Sequence, residues 1–209
     1  MTEQTFEGAD KYDIVQSVAE ADIVVWTGGE DISPSLYGEK PLSGTYFSVK
    51  RDESDLATIE EAYKAGKFLI GICRGAQLLN VVPNGGRLWQ DVNNHGSNIH
   101  KCFDTLKGSY VTLNSVHHQM LRVTDKAQVL CWTAESTRRQ SQNEAWAKPK
   151  TVNDIVREVD KDPEVVWYPE TRSFLFQGHP EFGHPPTTRY FFQLLDDLYW
   201  GTDSGWDER

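Results

Sequence analysis

Short apolar runs alternate with amphipathic stretches along this chain. Ile23-Val24-Val25-Trp26-Thr27 and Phe68-Leu69-Ile70-Gly71-Ile72 are continuous runs of strand length, as in strands covered on both faces of a parallel sheet. Tyr12, Val15, Val18 and Ala19 fall at helical spacing over residues 11–20. A second helix opens at Arg51-Asp52-Glu53-Ser54-Asp55, with carboxylates in its first turn. It runs through Leu56, Ile59, Ala62 and Tyr63, and Gly66 suits its C-cap. Pro185-Pro186 starts a last helix with Tyr190, Phe191, Leu194, Leu195 and Leu198 on its apolar side.

Further strands are expected at 109–113 and 128–134, and a hairpin at 164–168 and 173–177. Residues 32–49 read as a loop and Pro83-Asn84-Gly85-Gly86 as a stop. Residues 87–101 suit active-site surroundings or a β-ribbon, with His95 and His100 as exposed loop histidines. The polar stretch 135–150, including Arg138 and Arg139, reads as an exposed excursion, followed by a short helix through Ile155 and Val156. Alternation of strands and helices gives an α/β class with a mainly parallel sheet flanked by helices. Residues 1–200 are expected as a single domain, with 201–209 as a frayed tail.

The chemistry concentrates where the Phe68–Ile72 run meets the helical residues Ala76–Asn80. Cys73 stands at that joint between Gly71 and Gly75, the glycine-flanked spacing of a nucleophile elbow with Cys in place of Ser. A strand turning abruptly into a helix strains its middle residue, and glycines on either side let the backbones pass closely. The helix N-terminus favours a thiolate and a developing oxyanion. Taken alone the pattern fits a buried structural cysteine equally well.

Gly28-Gly29, Cys73 and His179 all fall at carboxyl ends of expected strands, where open α/β sheets bind ligands. His179 suits a base for Cys73, and Glu181 an acceptor that orients it, with Pro180 stiffening the link. Backbone N–H groups of Arg74 and of Gly28 or Gly29 suit an oxyanion hole. The implied chemistry is acyl transfer through a thioester. Alone, a strand-terminal His-Pro-Glu is an ordinary turn. His179 and His184 lack the spacing that puts two histidines on one helical face, so no metal is expected. No cofactor is expected either. The adjacent His117 and His118 point to opposite faces of an extended segment and make a poor chelating pair.

Composition narrows the partners. The 209 residues carry 31 acidic and 21 basic side chains, a net charge of −10 that argues against a nucleic-acid or anionic-membrane surface. Three widely spaced cysteines, Cys73, Cys102 and Cys131, suggest neither a disulfide framework nor a zinc site. No apolar run approaches the ~20 residues of a membrane span. The expectation is a soluble, cytoplasmic protein acting on a small molecule.

Five blocks in order resemble the class I glutamine amidotransferase superfamily, nearest its peptidase C26 or γ-glutamyl-γ-aminobutyrate hydrolase type. They are Gly28 to Pro34 with Tyr37 and then Arg51-Asp52; Gly71 to Asn80; Gly85 to Asp91; Asn114 to Gln119; and Gln177 to Glu181. The resemblance implies a flavodoxin-like three-layer fold. It implies Cys73 as nucleophile, His179 as base and acid, and Glu181 as orienter. Gln77, Asn114, Ser115, His117 and His118 would lie near the glutamyl group. The activity implied is hydrolysis of a γ-glutamyl amide, in glutamine or a γ-glutamyl-amine conjugate. The alternatives are an ammonia-donating subunit for a separate synthetase and a non-catalytic binding relative.

Three departures from that pattern stand out. The chain before Gly28 is short, so the sheet edge is expected to be trimmed or completed by a partner or a second copy. Gly178 replaces a bulky aromatic, which would widen the pocket. The polar stretch 135–163 is long, and would serve as a lid or docking surface.

Overall fold

The computed structural model describes residues 12–96, 98–148 and 158–201. Strand β1 (Ile23–Trp26) leads through a 3-10 turn (Pro34–Tyr37) to helix α1 (Val49–Lys64). Strand β2 (Phe68–Ile72) and helix α2 (Arg74–Val81) form the elbow. Short strands β3 (Arg87–Trp89) and β4 (Asp91–Val92) follow, then β5 (Asn98–Asp104), β6 (Ser109–Ser115), β7 (Met120–Arg122) and β8 (Gln128–Thr133). Strands β9 (Arg138–Gln140) and β10 (Ala145–Ala147) precede β11 (Asp162–Tyr168) and β12 (Ser173–Phe176), and helix α3 (Pro185–Tyr199) closes the sequence of elements.

The main sheet has the order β1-β2-β12-β11-β8-β5-β6. Its pairings β1–β2 and β2–β12 are parallel, and the remaining four are antiparallel. The α/β class holds, and the sheet is mixed: the parallel half carries the elbow. The antiparallel half follows from the tight Pro169–Arg172 connection between β11 and β12 and from the short turn between β5 and β6, which leave no room for a crossover helix. Among the described residues β1 is the outermost strand on its side, and Val25 is 48% exposed there, so this strand is covered less fully than its apolar run suggests.

The continuous apolar strands are explained by two cores. On β2 and β12, Phe68, Ile70, Ile72, Phe174 and Phe176 pack with Tyr190, Phe191, Leu194, Leu195 and Leu198 of α3. The intervening Leu69 and Leu175 face the other way, against Ile59 and Ala62 of α1 and Ala76, Leu78 and Leu79 of α2. Period-two alternation thus feeds both faces of one sheet, giving three layers. Helix α1 starts where the Ser48 side chain accepts from the Arg51 N–H, and Gly66 follows its end at φ 67°.

Residues 12–20 correct the first expected helix: they run as bends and turns. Only part of their apolar surface is covered: Ile14 is 96% exposed and Val15 41%, while Val18 packs against the core and Tyr12 stacks on Phe192 with its hydroxyl donating to Asp196. The 87–101 region is partly ribbon, since β3 pairs with β7 and β4 pairs with β9. The polar excursion is structured too: β9 and β10 form a hairpin, and Arg139 is buried, with its guanidinium stacked 4.2 Å from Trp146 and 2.9 Å from Asp162. The helix expected through Ile155 and Val156 lies outside the described residues, as does 202–209.

The elbow depends on two missing side chains. A Cβ at Gly71 would meet the Ala76 N and the Gly75 carbonyl carbon at 2.4 Å, and one at Gly75 would meet the Trp26 carbonyl oxygen at 2.0 Å. Both obstacles are backbone and cannot rotate away. Gly75→Ala is expected to lower the urea midpoint, with a loss of stability of at least the ~1–3 kcal/mol typical of overpacking. Gly96→Ala, where an added carbon meets nothing within 4 Å, should move it far less. Equal shifts in the two variants would show that the elbow contact does not limit stability.

Candidate active site

Cys73 caps the N-terminus of α2 with φ 51° and ψ −108°, a conformation that non-glycine residues adopt rarely and only when neighbours enforce it. The enforcement is visible. Its N–H donates to the Phe176 carbonyl at 2.8 Å, and its carbonyl accepts from Gln77 N–H at 3.0 Å. The adjacent strand β12 ends at Phe176, and three residues later stands His179. Parallel register between β2 and β12 pairs Ile72 with Phe176, so both chains leave the sheet side by side.

His179 is held at both its backbone and its ring. Asn114 spans its peptide groups: the His179 N–H donates to Asn114 Oδ1 at 2.8 Å and Asn114 Nδ2 donates to the His179 carbonyl at 2.7 Å. Thr187 on α3 accepts the Asn114 N–H, and the Thr188 hydroxyl donates to the Pro180 carbonyl. The imidazole Nδ1 lies 2.7 Å from Glu181 Oε1, and the ring stacks on Phe182 at 4.2 Å and 10°. Burial alone would lower the His179 pKa. The neighbouring Cys73 and the hydrogen-bonded Glu181 outweigh it and lift the value to about 9. Glu181 goes the other way: burial would raise its pKa, and the bond to His179 holds it below the usual carboxylate range.

The double glycine closes the site. A Cβ at Gly28 would lie 2.6 Å from His179 Cε1 and 3.6 Å from Cys73 Cβ, so the Gly28 backbone lies directly against both. Gly29 has φ 146°, and a Cβ there would run into the Arg51 guanidinium at 2.1 Å. Arg51 in turn donates to the Gly28 carbonyl at 2.9 Å and pairs with Glu30 at 2.7 Å. Arg74 opens α2, so its N–H belongs to the first turn, where no intrahelical acceptor exists. Its side chain is buried and pairs with Asp52 at 2.7 Å and with Asp55, while Asp52 also accepts the Ser33 N–H. These pairs tie α1 and the loop after β1 to the elbow.

The structure separates the five residues expected around the glutamyl group. Gln77 sits one turn after Cys73 and reaches the Gln119 carbonyl at 3.5 Å. His118 is half-buried, with Nε2 3.0 Å from Asp31 in the loop after Gly29. Asn114 uses both amide atoms on His179. Ser115 and His117 turn into a separate buried cluster, where Ser115 donates to the His95 carbonyl and His117 faces Glu164. His95 and His100 belong to that cluster, which corrects the expectation of exposed loop histidines: strand β5 begins early enough to carry His100 inside. His184 bonds to Thr187 and stays apart from His179. The space expected to open at Gly178 is taken by Asn114, whose carbonyl a Cβ would meet at 2.9 Å. Asn114, Thr187 and Phe182 are the site-building residues that pattern alone does not assign to His179. For Asn114 and Thr187 the role depends on a strand and a helix brought together by the fold, and for Phe182 on the 3-10 turn (Pro180–Phe182) that folds its ring back onto the imidazole.

The peptidase C26 family model matches residues 6–106. The glutamine amidotransferase-like protein YvdE of Lactococcus lactis subsp. lactis is 51% identical over 80 residues, covering 37% of this chain and 33% of that protein. Protein NtpR of Enterococcus hirae is 32% identical over 190 residues, covering 80% of this chain and 70% of its own length. The chain thus spans about a third of the YvdE protein it matches. Among solved structures, a glutamine amidotransferase from Thermotoga maritima superposes with a TM-score of 0.55 at 14% identity, over 92% of this chain and 70% of that one. Among the described residues no helix is long and apolar enough to cross a membrane.

With a folded pKa of about 9 against an ordinary 6.5, the His179 imidazolium adds stability in full below pH ~6.5, and that contribution is lost as pH rises through about 9. The His179 ring proton signals, assigned by comparison with His179→Gln, should titrate with a midpoint near 9 in the NMR spectrum. Glu181→Gln should move that midpoint down. A wild-type midpoint at or below the ordinary histidine value would contradict the ion-paired arrangement.

Proposed function

The chain belongs to the class I glutamine amidotransferase-like superfamily, and from there we propose that it hydrolyses a γ-glutamyl amide bond, with Cys73 as nucleophile, His179 as base and acid, and Glu181 as orienter. The observation that carries this reading is one constellation: a strained Cys73 at the N-terminus of α2, a His179 ring that meets the same Gly28 backbone as Cys73, and a carboxylate tied to Nδ1 of that ring. An imidazolium at His179 and the N-terminus of α2 both place positive potential at the Cys73 sulfur.

In the proposed reaction the Cys73 thiolate attacks the γ-carbonyl carbon. The C=O electron pair moves onto oxygen, and backbone N–H groups of Arg74 and of Gly28 or Gly29 receive that charge; one such donor is typically worth ~10²–10³ in turnover. His179 gives its Nε2 proton to the leaving nitrogen as the C–N bond breaks, and ammonia or an amine departs. The γ-glutamyl thioester remains. His179 then takes a proton from water, whose oxygen attacks the thioester, and glutamate and the thiolate are regenerated. Glu181 keeps the imidazole oriented through both halves. Asn114 acts through His179 by fixing its peptide groups, which makes it a positioning residue. Gln77 and His118 are proposed as polar contacts for the α-amino and α-carboxylate groups of the glutamyl unit.

The test is release of glutamate from glutamine and from a panel of γ-glutamyl amines, by the wild type and by Cys73→Ala. Turnover of a conjugate that falls by more than ~10³-fold in Cys73→Ala supports the hydrolase. Feeble, cysteine-dependent turnover of glutamine alone would favour an ammonia-donating subunit. Equal rates in both proteins would overturn the proposal. A glutamine-analogue electrophile should add its mass to the peptide holding Cys73. Cys102 and Cys131 are wholly buried in the core, and the Cys102 thiol is pushed up by the neighbouring Cys131 and then by burial.

A further inference from the structure

On the far side of Asn114 from His179 lies a group of side chains that the proposed reaction does not use. The Glu164 carboxylate on β11 has no exposed surface and faces three imidazoles. Its Oε1 is 3.2 Å from His95 Nδ1 and 3.3 Å from His100 Nε2, and its Oε2 is 3.6 Å from His117 Nε2. All three histidines are more than nine-tenths buried. Both Glu164 oxygens, His117 Nε2 and both ring nitrogens of His100 lack a hydrogen-bond partner of acceptable geometry. Leaving so many buried polar atoms unpaired is costly.

Two details identify what is missing. The first is the tautomer of His117. Its Nδ1 lies 2.8 Å from the Gln119 carbonyl and must donate to it, which leaves Nε2 with a bare lone pair. In the neutral ring that lone pair faces a carboxylate oxygen 3.6 Å away, too far for a proton to bridge as a hydrogen bond, so the two acceptors oppose each other unless a larger cation stands between them. The second is spacing. A charge-assisted N–H···O⁻ bond closes to ~2.7–2.9 Å, whereas the gaps here are wider. Two ligands of a tetrahedral ion with bonds of ~2.0–2.1 Å lie about 3.3 Å apart, close to the His95 and His100 distances from Glu164. The candidate donor atoms of His95, His117 and Glu164 fall within 4.8 Å of one another.

We propose that His95, His100, His117 and Glu164 bind a zinc-class divalent cation at a closed, structural site. Three imidazole nitrogens and one carboxylate suit zinc, and full burial leaves no open position for a water nucleophile. The supporting groups are those that hold metal-binding histidines elsewhere. The Gln119 carbonyl fixes His117. The Asp162 carboxylate stands 3.4 Å from His95 Nε2, and is itself held by the Ser136 N–H and by Arg139, both at 2.9 Å. The ion would join the turn before β5, strand β5, the end of β6 and strand β11. Glu164 also accepts the Gln177 N–H through its backbone, and Asn114 stands just before Ser115 and His117, so the site braces the segments that carry His179. This inference does not depend on the proposed hydrolysis.

Elemental analysis of the full chain expressed with added zinc should find about one metal per chain. The measurement is made on Cys73→Ala as well, because a thiolate also binds zinc. Metal retained in Cys73→Ala supports the cluster; metal lost with it places the ion on Cys73 and overturns the proposal. After removal by a chelator, wild-type protein should regain its melting temperature on adding Zn²⁺, and should develop the visible absorption of tetrahedral cobalt on adding Co²⁺. Asp162→Asn should weaken binding ~10–100-fold while leaving the ligands in place. Less than a tenth of a metal per chain, with no response of melting temperature or spectrum to either ion, would overturn it without any variant having to fold.

Discussion

The site depends on a contact between backbones. Helix α2 starts so close to β1 and β2 that no β-carbon fits at Gly71 or Gly75. That closeness leaves the chain only a sharp turn to make between strand and helix, and Cys73 takes the turn at positive φ. The strain is local, and the forces that hold it come from further away. The hydrogen bond to Phe176 fixes the strand side, and the buried Arg74–Asp52 pair with the part-buried Arg74–Asp55 pair fixes the helix side. A buried ion pair contributes little net stability but is expensive to break, ~3–5 kcal/mol when one partner is removed. Arg74 is therefore best understood as locking one arrangement of the elbow.

A similar division of labour organises the second half of the site. His179 needs a carboxylate for its ring and an amide for its backbone, and these come from different elements. Glu181 is two residues away, while Asn114 arrives from β6, with the threonines of α3 behind it. The β6 end therefore serves two neighbours at once. Asn114 turns toward the base, and Ser115 and His117 turn toward Glu164, as alternating sides of an extended chain require.

The sequence carried much of this and missed the rest for identifiable reasons. The elbow, the hairpin of β11 and β12 and the last helix were legible because their signals are local: glycine spacing, β-branched runs, a proline start. The helix expected over 11–20 failed because periodicity counts apolar residues without asking whether a surface awaits them; Val15 and Ala19, two of the four on the expected face, are exposed. His95 and His100 read as exposed because they sit among polar neighbours, and nothing nearby in sequence announces that Glu164 will collect them. Arg139 was masked in the same way by a polar context, with its partners Asp162 and Trp146 supplied by distant strands. Gly178 invited a correct question about space, but the occupant of that space, Asn114, lies 64 residues earlier in the chain.

The parallel register of β2 with β12 has one more consequence. Cys73 follows the last rung of that ladder immediately, and His179 follows it by three residues. The distance between the two reacting groups is therefore ruled by the sheet itself, a fixed gauge set by the spacing of neighbouring strands. The exposed turns of the hairpins in the connection between those strands can change composition without recalibrating that gauge, provided that β5, β6 and β8 keep their places in the sheet and the end of β6 still delivers Asn114. A scaffold of this kind separates the part of the chain that keeps the chemistry in tune from the part free to explore new molecules at its rim.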